Sequence, residues 1–581
     1  MRGIISCLIA VSLFACNPAW AAAREDDRDE RSNEKSNPAA EKKPSEKAKS
    51  GTPSAPNPAI ESELRQLRQL VQEQAERLHG LQQRLADVEG EVAAGKSAPT
   101  NAASSATSAV QPAPPAESVA SSAPPAARQR NDGDQEKKPS PLYFEIGKAK
   151  FTPGGFVDFT SIIRSTNLGS GIATSFGSIP YSNTTQGRLS EFHFSAQYSR
   201  LSLKVDAPVT DSTSLAGYVE SDFLGYQPAN AYITANSNSL RMRLFWAQIK
   251  HGKWDVLGGQ EWSLLTPNRV GLSPLTSDVF VTLDEDPNFQ VGLTWARQAQ
   301  FRVTYHPTQK WAVAVSLENP QQFAPASVVF PSPTTYLGQF DNGSSATNAP
   351  SAATNTFVPN LHPDVIVKTS YDTQFREHPF HIEVAGLLRS LRVLNTLATP
   401  SHTDTIIGGG GSVNLNFQLV KNLTVVASSF YSDGGGRYIF GLGPDAMVKP
   451  NGNVSAVHSG SGIAGLEWQA TPRYMLYSYY GGAYFARNYG FLPAAGSSCA
   501  GVAGFSCVGF GFPGSANTSN RAVQEATFGA IPTLWSNPNY GKLQVITQYS
   551  YLVRSPWSVT PPAPKNAHLS MVYAGIRYIL P

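Results

Sequence analysis

Residues 543–554 read LQVITQYSYLVR. Leu543, Val545, Tyr549 and Tyr551 fall on odd positions, and Gln544, Gln548, Ser550 and Arg554 on even ones. A period of two marks a β-strand whose two faces meet different surroundings. In HIEVAGLLR (381–389), Ile382, Val384 and Leu388 likewise oppose His381, Glu383 and Arg389. In LRMRLFWAQ (240–248), Leu240, Met242, Leu244 and Trp246 share one face, and Arg241 and Arg243 the other. The pattern fits a soluble sheet on an apolar core, or a membrane barrel with lipid outside and water inside.

Connection lengths separate these two. Strands are expected near 154–164, 189–206, 213–225, 239–251, 254–267, 289–305, 311–319 and 363–374, and again near 379–393, 408–420, 422–433, 461–471, 474–487, 523–536, 542–555 and 567–580. Odd-numbered links are long, as at 165–188, 268–288, 320–362 and 488–522. Even-numbered links are tight, such as APVTDST (207–213), HPTQKW (306–311), Lys421-Asn422, QATPRY (469–474) and SNPNYG (536–541). A soluble sandwich has no reason to sort its loops by parity. A transmembrane barrel does, because short turns face the periplasm and long loops face outside. The expected fold is all-β: a transmembrane antiparallel β-barrel of about 16 strands spanning 141–581, which pairs every backbone group by closure. Apolar residues change parity between Phe192, Phe194 and Tyr198 and then Leu201, Leu203 and Val205, so a β-bulge is expected near Ser199-Arg200. YMLYSYYGGAY (474–484) reads as part of an interfacial aromatic girdle.

The other 140 residues divide into four segments. Residues 1–21 have the charge, apolar run and Ala19-Trp20-Ala21 site of a secretory signal peptide, with cleavage after Ala21 or Ala23. Leu13-Phe14-Ala15-Cys16 offers a poorer lipobox alternative. Residues 22–56 are charged and almost without apolar side chains, as in a disordered segment. In 57–93, Ile60, Leu64, Leu67, Val71, Gln74, Leu78, Leu81, Leu85, Val88 and Val92 follow an unbroken four-three spacing. That heptad repeat predicts a helical coiled coil that associates copies of the chain; dimer and trimer both remain open. Residues 94–140 form a Pro/Ala/Ser-rich linker. An even strand number puts both barrel ends on the periplasmic side, and the coil with them.

Net charge is +3 over 581 residues, which gives no sign of nucleic-acid binding. Only Cys499 and Cys507 lie beyond the signal, and export to an oxidising compartment predicts a disulfide between them. His-Glu-x-x-His, P-loop and Gly-x-Ser-x-Gly signatures are missing, so neither an enzyme, a cofactor nor a metal is expected. GGGGS (408–412) lacks a following helix and reads as a flexible loop end.

The layout resembles the DcaP-like trimeric outer-membrane porins. The resemblance is carried by GGFVDFT (154–160), SRLSLKVDAP (199–208) and GGQEWSLLTP (258–267), and by Tyr573, Gly575, Tyr578 and Leu580 in a C-terminal assembly signal. The chain departs from that signal by ending in Leu580-Pro581. The resemblance implies a homotrimer in the outer membrane, in contact with lipid and lipopolysaccharide, with a periplasmic coil. It also implies that the third long loop folds into the lumen and that small anionic solutes such as dicarboxylates are favoured. That loop carries Asp278, Asp284, Glu285 and Asp286, and Arg164, Arg200, Arg241, Arg243 and Arg389 are candidate lumen-facing cations. Acid opposite base across a constriction filters solutes by charge. Between residues 141 and 581 there are 28 basic and 24 acidic side chains, so net charge alone does not establish anion selectivity. The alternative function is a structural tether, with the coil reaching a periplasmic partner or peptidoglycan.

Overall fold

The computed structural model describes residues 142–225, 238–274, 279–283, 289–341 and 359–581. The signal peptide, the charged segment, the heptad segment with its core from Ile60 to Val92, and the linker lie outside the described residues.

One sheet forms the barrel. Its strands are β1 (Ala149–Arg164), β2 (Glu191–Ser195 and Arg200–Thr210), β3 (Thr213–Asp222), β4 (Arg241–His251), β5 (Trp254–Trp262), β6 (Arg297–Tyr305), β7 (Trp311–Glu318) and β8 (Asp364–Phe375). They continue as β9 (His378–Asn395), β10 (His402–Val420), β11 (Leu423–Asp433), β12 (His458–Thr471), β13 (Tyr474–Phe485), β14 (Asn520–Asn537), β15 (Gly541–Pro556) and β16 (Ala567–Ile579). Each pairs antiparallel with its sequence neighbour, and β1 closes on β16 from Phe156↔Ile579 to Arg164↔Met571. A short strand, Phe144–Ile146, folds back on the start of β1. Closure leaves no open edge, which is what a lipid environment demands.

The parity of the links holds with one exception. Seven turns of two to five residues alternate with longer connections, but 396–401 is short because β9 and β10 run on beyond their expected ends. Two-residue hairpins need left-handed backbone. Arg376 (φ 50°) and Glu377 (φ 69°) supply it between β8 and β9, and Asn422 (φ 68°) does so between β10 and β11.

Alternation sorts side chains by solvent. In β15, Thr547, Tyr549 and Tyr551 are exposed on the outside, whereas Gln548, Ser550 and Arg554 are buried inside. Outward Trp254, Trp311, Tyr371, Phe375, Trp468, Tyr474 and Trp535 all lie near the short turns and form one aromatic rim. Such belts sit at headgroup level in membrane barrels.

Four local expectations are corrected. The parity of β4 switches at Arg243, an extra residue between the pairs Glu220↔Leu244 and Ser221↔Met242. This bulge turns Arg241, Arg243, Leu244 and Trp246 toward the interior, while Met242, Phe245 and Ile249 face out. In β2 the irregularity spans 196–199, and Tyr198 there points inward, buried, unlike Phe192 and Phe194. Of the tyrosines in 474–484, only Tyr474, Tyr480 and Tyr484 face outward; Tyr477 and Tyr479 are buried inside. Residues 408–412 are not a loop end: they lie within β10, paired with β9 throughout and with β11 from Gly409 onward. Cys499 and Cys507 are joined, with Cα atoms 5.0 Å apart, across an added hairpin of Asn488–Cys499 and Val502–Phe510.

Candidate functional site

The lumen is built from two kinds of wall and one loop. The long connections are L1 (165–190), L2 (223–240), L3 (263–296), L4 (319–363), L5 (396–401), L6 (434–457), L7 (486–519) and L8 (557–566). L3 is longer than expected because β5 ends at Trp262 and β6 begins at Arg297.

From β2 to β9 the inner wall carries charges that alternate in sign, strand by strand. They are Arg200, Glu220, Arg243, Glu261, Arg302, Glu318, Lys368 and Glu383, every one of them buried. Arg243 Nε donates to Glu220 Oε1 at 2.6 Å, and Arg200 Nε lies 3.6 Å from the same oxygen. Lys368 Nζ lies 2.7 Å from Glu383 Oε2. Charges removed from water are tolerated only when paired, because the desolvation cost of an isolated ion exceeds anything packing returns. Six members of this belt, Glu220, Glu261, Arg302, Glu318, Lys368 and Glu383, are additions to the arginines expected from sequence. Each sits at an inward position of its strand, but the alternation emerges only when eight strands are laid side by side.

From β10 to β15 the inner wall is mostly amide and hydroxyl: Ser412, Asn414, Ser428, Tyr477, Tyr479, Thr527, Gln548 and Ser550. Glu467 and Glu525 are its buried acids among the described residues, and L3 contacts both. Arg269 Nη2 donates to Glu467 Oε1 at 2.7 Å, and the Val291 amide donates to Glu525 Oε2 at 2.9 Å.

L3 is fastened around the barrel. Its amides at Leu264, Asn268 and Leu283 donate to Glu318 (2.7 Å), Glu383 (3.1 Å) and Gln548 (2.9 Å). Tyr198, in the irregular stretch of β2, donates to the Leu283 carbonyl at 2.9 Å. At residues 291–292 the loop meets β13 backbone against backbone. A Cβ on Gly481 would stand 1.9 Å from the Val291 carbonyl oxygen, so only glycine fits there. The loop therefore crosses the lumen and rests on both halves of the wall. Expected site residues Asp278, Asp284, Glu285 and Asp286 lie outside the described residues.

All five expected arginines face inward. Arg164 binds Glu191 (2.7 Å) and the carbonyls of Gly171 and Ile172, which holds L1 over the mouth. Arg389 binds Asp445 (3.1 Å) and the Gly434 carbonyl, which holds L6; Arg437 in turn binds Asp364 at 2.8 Å. Burial pushes the Asp445 carboxyl up, against the pull of Arg389 and Arg437. Among the described residues, Arg200, Arg241 and Arg243 form one cluster with Glu220 and Asp222. Arg241 is forked onto Asp222 at 2.6 and 3.0 Å and keeps 28 % of its side chain exposed, whereas the other four are at 4 % or below. Above L3, parts of L1, L4 and L6 join a single apolar cluster with Phe280, Leu283, Phe289 and Val291, so the lumen is partly filled by its own loops.

Neither a family model nor a curated protein matches the sequence. Among solved structures, the outer membrane channel DcaP of Acinetobacter baumannii is similar at 16 % identity, covering 75 % of this chain and 99 % of that one, with a TM-score of 0.51. OprB of Pseudomonas putida follows at 11 % identity, 74 % and 94 % coverage and a TM-score of 0.40. An anion-selective porin of Comamonas acidovorans follows at 8 %, 74 % and 99 %, and 0.39. Closure at sixteen strands, the apolar outside and the polar inside agree with the first of these likenesses: the described chain has the DcaP fold, that of a bacterial outer-membrane channel.

Proposed function

We propose that the protein is an outer-membrane porin that lets small hydrophilic solutes diffuse and favours small anions such as dicarboxylates. The observation that carries the channel reading is the closed barrel with apolar side chains outside and ionised or hydrogen-bonding side chains inside. Support for anions comes from Arg200, Arg241 and Arg243 gathered at one place on the inner wall, with Arg241 still reachable by water. A guanidinium at the lumen surface can offer a carboxylate charge-assisted hydrogen bonds. The heptad segment supports association of copies of the chain through a periplasmic coil, and the resemblance to trimeric porins favours a homotrimer.

Liposome swelling tests this reading. Vesicles holding the full-length protein should admit a four-carbon dicarboxylate faster than a neutral sugar of similar size, and Arg241→Ala should narrow that difference. Equal rates in both proteins would remove the anion preference.

A further inference from the structure

Three phenylalanines from three loops meet over the lumen. Phe176 lies in a single 3-10 turn of L1, Phe289 in L3, and Phe440 in L6 two residues past the turn Gly436–Tyr438. The rings of Phe289 and Phe440 stack with centroids 4.1 Å apart. Phe176 meets both edge-on, at 5.2 Å and 6.1 Å. Phe176 and Phe289 are wholly buried.

Their roots on the wall are far apart. L1 joins β1 to β2, and L6 joins β11 to β12. By the shorter way round, β1 and β12 are five strand spacings apart, about 24 Å at about 4.8 Å per spacing. Side chains from loops anchored so far apart can touch only across the opening. The cluster therefore lies in the path between the outer mouth and the lumen.

Each ring is held from behind. The Gly177 carbonyl accepts from Asn520 and Arg554, which ties the L1 turn to β14 and β15. The Phe289 carbonyl accepts from Thr282 at 2.9 Å. The Trp295 amide donates to the Tyr438 carbonyl at 3.0 Å, which couples L3 to L6. Phe440 itself adopts φ +55°. A bulky side chain rarely takes left-handed backbone unless its surroundings enforce it, and such residues concentrate at ligand clamps and switch regions.

We propose that Phe176, Phe289 and Phe440 form an apolar gate that closes the channel on its outer side, and that withdrawal of Phe440 with the 436–442 segment opens it. Rings packed in direct contact occlude the path, and their apolar faces offer a hydrated ion nothing in exchange for its water. This rests on the channel reading above, and it places the closing element in aromatic rings shared by three loops.

Single-channel recording of the full-length protein in planar bilayers tests it. Phe440→Gly removes the ring and also suits φ +55°, so the L6 backbone keeps its course. We expect its conductance, or its time in the open level, to rise at least about twofold, with Phe176→Ala changing in the same direction from a different loop. Phe440→Tyr should behave as wild type. Heat-modifiable migration on gels verifies that each variant is folded. If wild type conducts and folded Phe440→Gly and Phe176→Ala match it in both quantities, the gate is wrong and the channel stands. If neither wild type nor the variants conduct, the channel reading falls with it.

Discussion

The two halves of the inner wall solve one problem in different ways. From β2 to β9, buried charges neutralise one another through alternation between neighbouring strands, as Arg243 does with Glu220 and Lys368 with Glu383. From β10 to β15, hydroxyls and amides prevail, and Glu467 and Glu525 find their partners on L3. The first half can be complete without the loop in most of its members; the second depends on it. Both walls hold L3, the charged one through Glu318, Lys368 and Glu383 and the other through Glu467, Glu525 and Gln548. Only the acids of the second take their charge-neutralising or amide partners chiefly from the loop.

The largest effect should come from the self-neutralising half. Lys368→Met leaves Glu383 buried with His381 as its remaining ionisable partner, and should cost about 3–5 kcal/mol in urea unfolding from detergent or vesicles. Adding Glu383→Gln should recover part of that loss; strictly additive costs would mean the two groups do not interact. Next come outward controls, which ought not to distinguish the halves. Val384→Arg on β9 and Leu466→Arg on β12 lie at similar distances from short turns, and each should cost about 2–4 kcal/mol, because lipid meets both alike. Unequal costs would show that one face is covered by protein.

Glu467→Gln should cost about 1–3 kcal/mol. More tellingly, it should speed proteolysis within L3, since it weakens the bonds from Arg269 and from Tyr479 (2.6 Å). The smallest effect belongs to neutral wall hydrogen bonds. Ser428→Ala removes a 2.6 Å bond to Asn414 and should cost about 1 kcal/mol, with L3 proteolysis unchanged. Faster cleavage there would show that the loop depends on the whole wall rather than on its acids.

These contrasts also explain what the sequence made legible. Sixteen strands were readable because lipid imposes an apolar residue at each outward position, every second one along the strand, a rule that acts within each strand alone. The irregularity at 196–199 was readable because outward residues change parity from Phe194 to Leu201. The bulge at Arg243 was not, since it brings Arg243 and Leu244 to the same side without any glycine or proline to mark it. Alternating charge across eight strands depends on register between segments up to 183 residues apart, from Arg200 to Glu383, which no local pattern encodes. Nor could the arginines' partners be foreseen. Arg164 and Arg389 proved to hold loops through backbone carbonyls, a role that requires the path of L1 and L6.

The central claim is that the inward rhythm of polar side chains encloses a route for water and ions. Stepwise current through the purified wild-type protein in a planar bilayer measures this most directly. The account predicts discrete ohmic steps that grow in proportion to potassium chloride conductivity. Silence from folded wild type and from folded Phe440→Gly alike would contradict it.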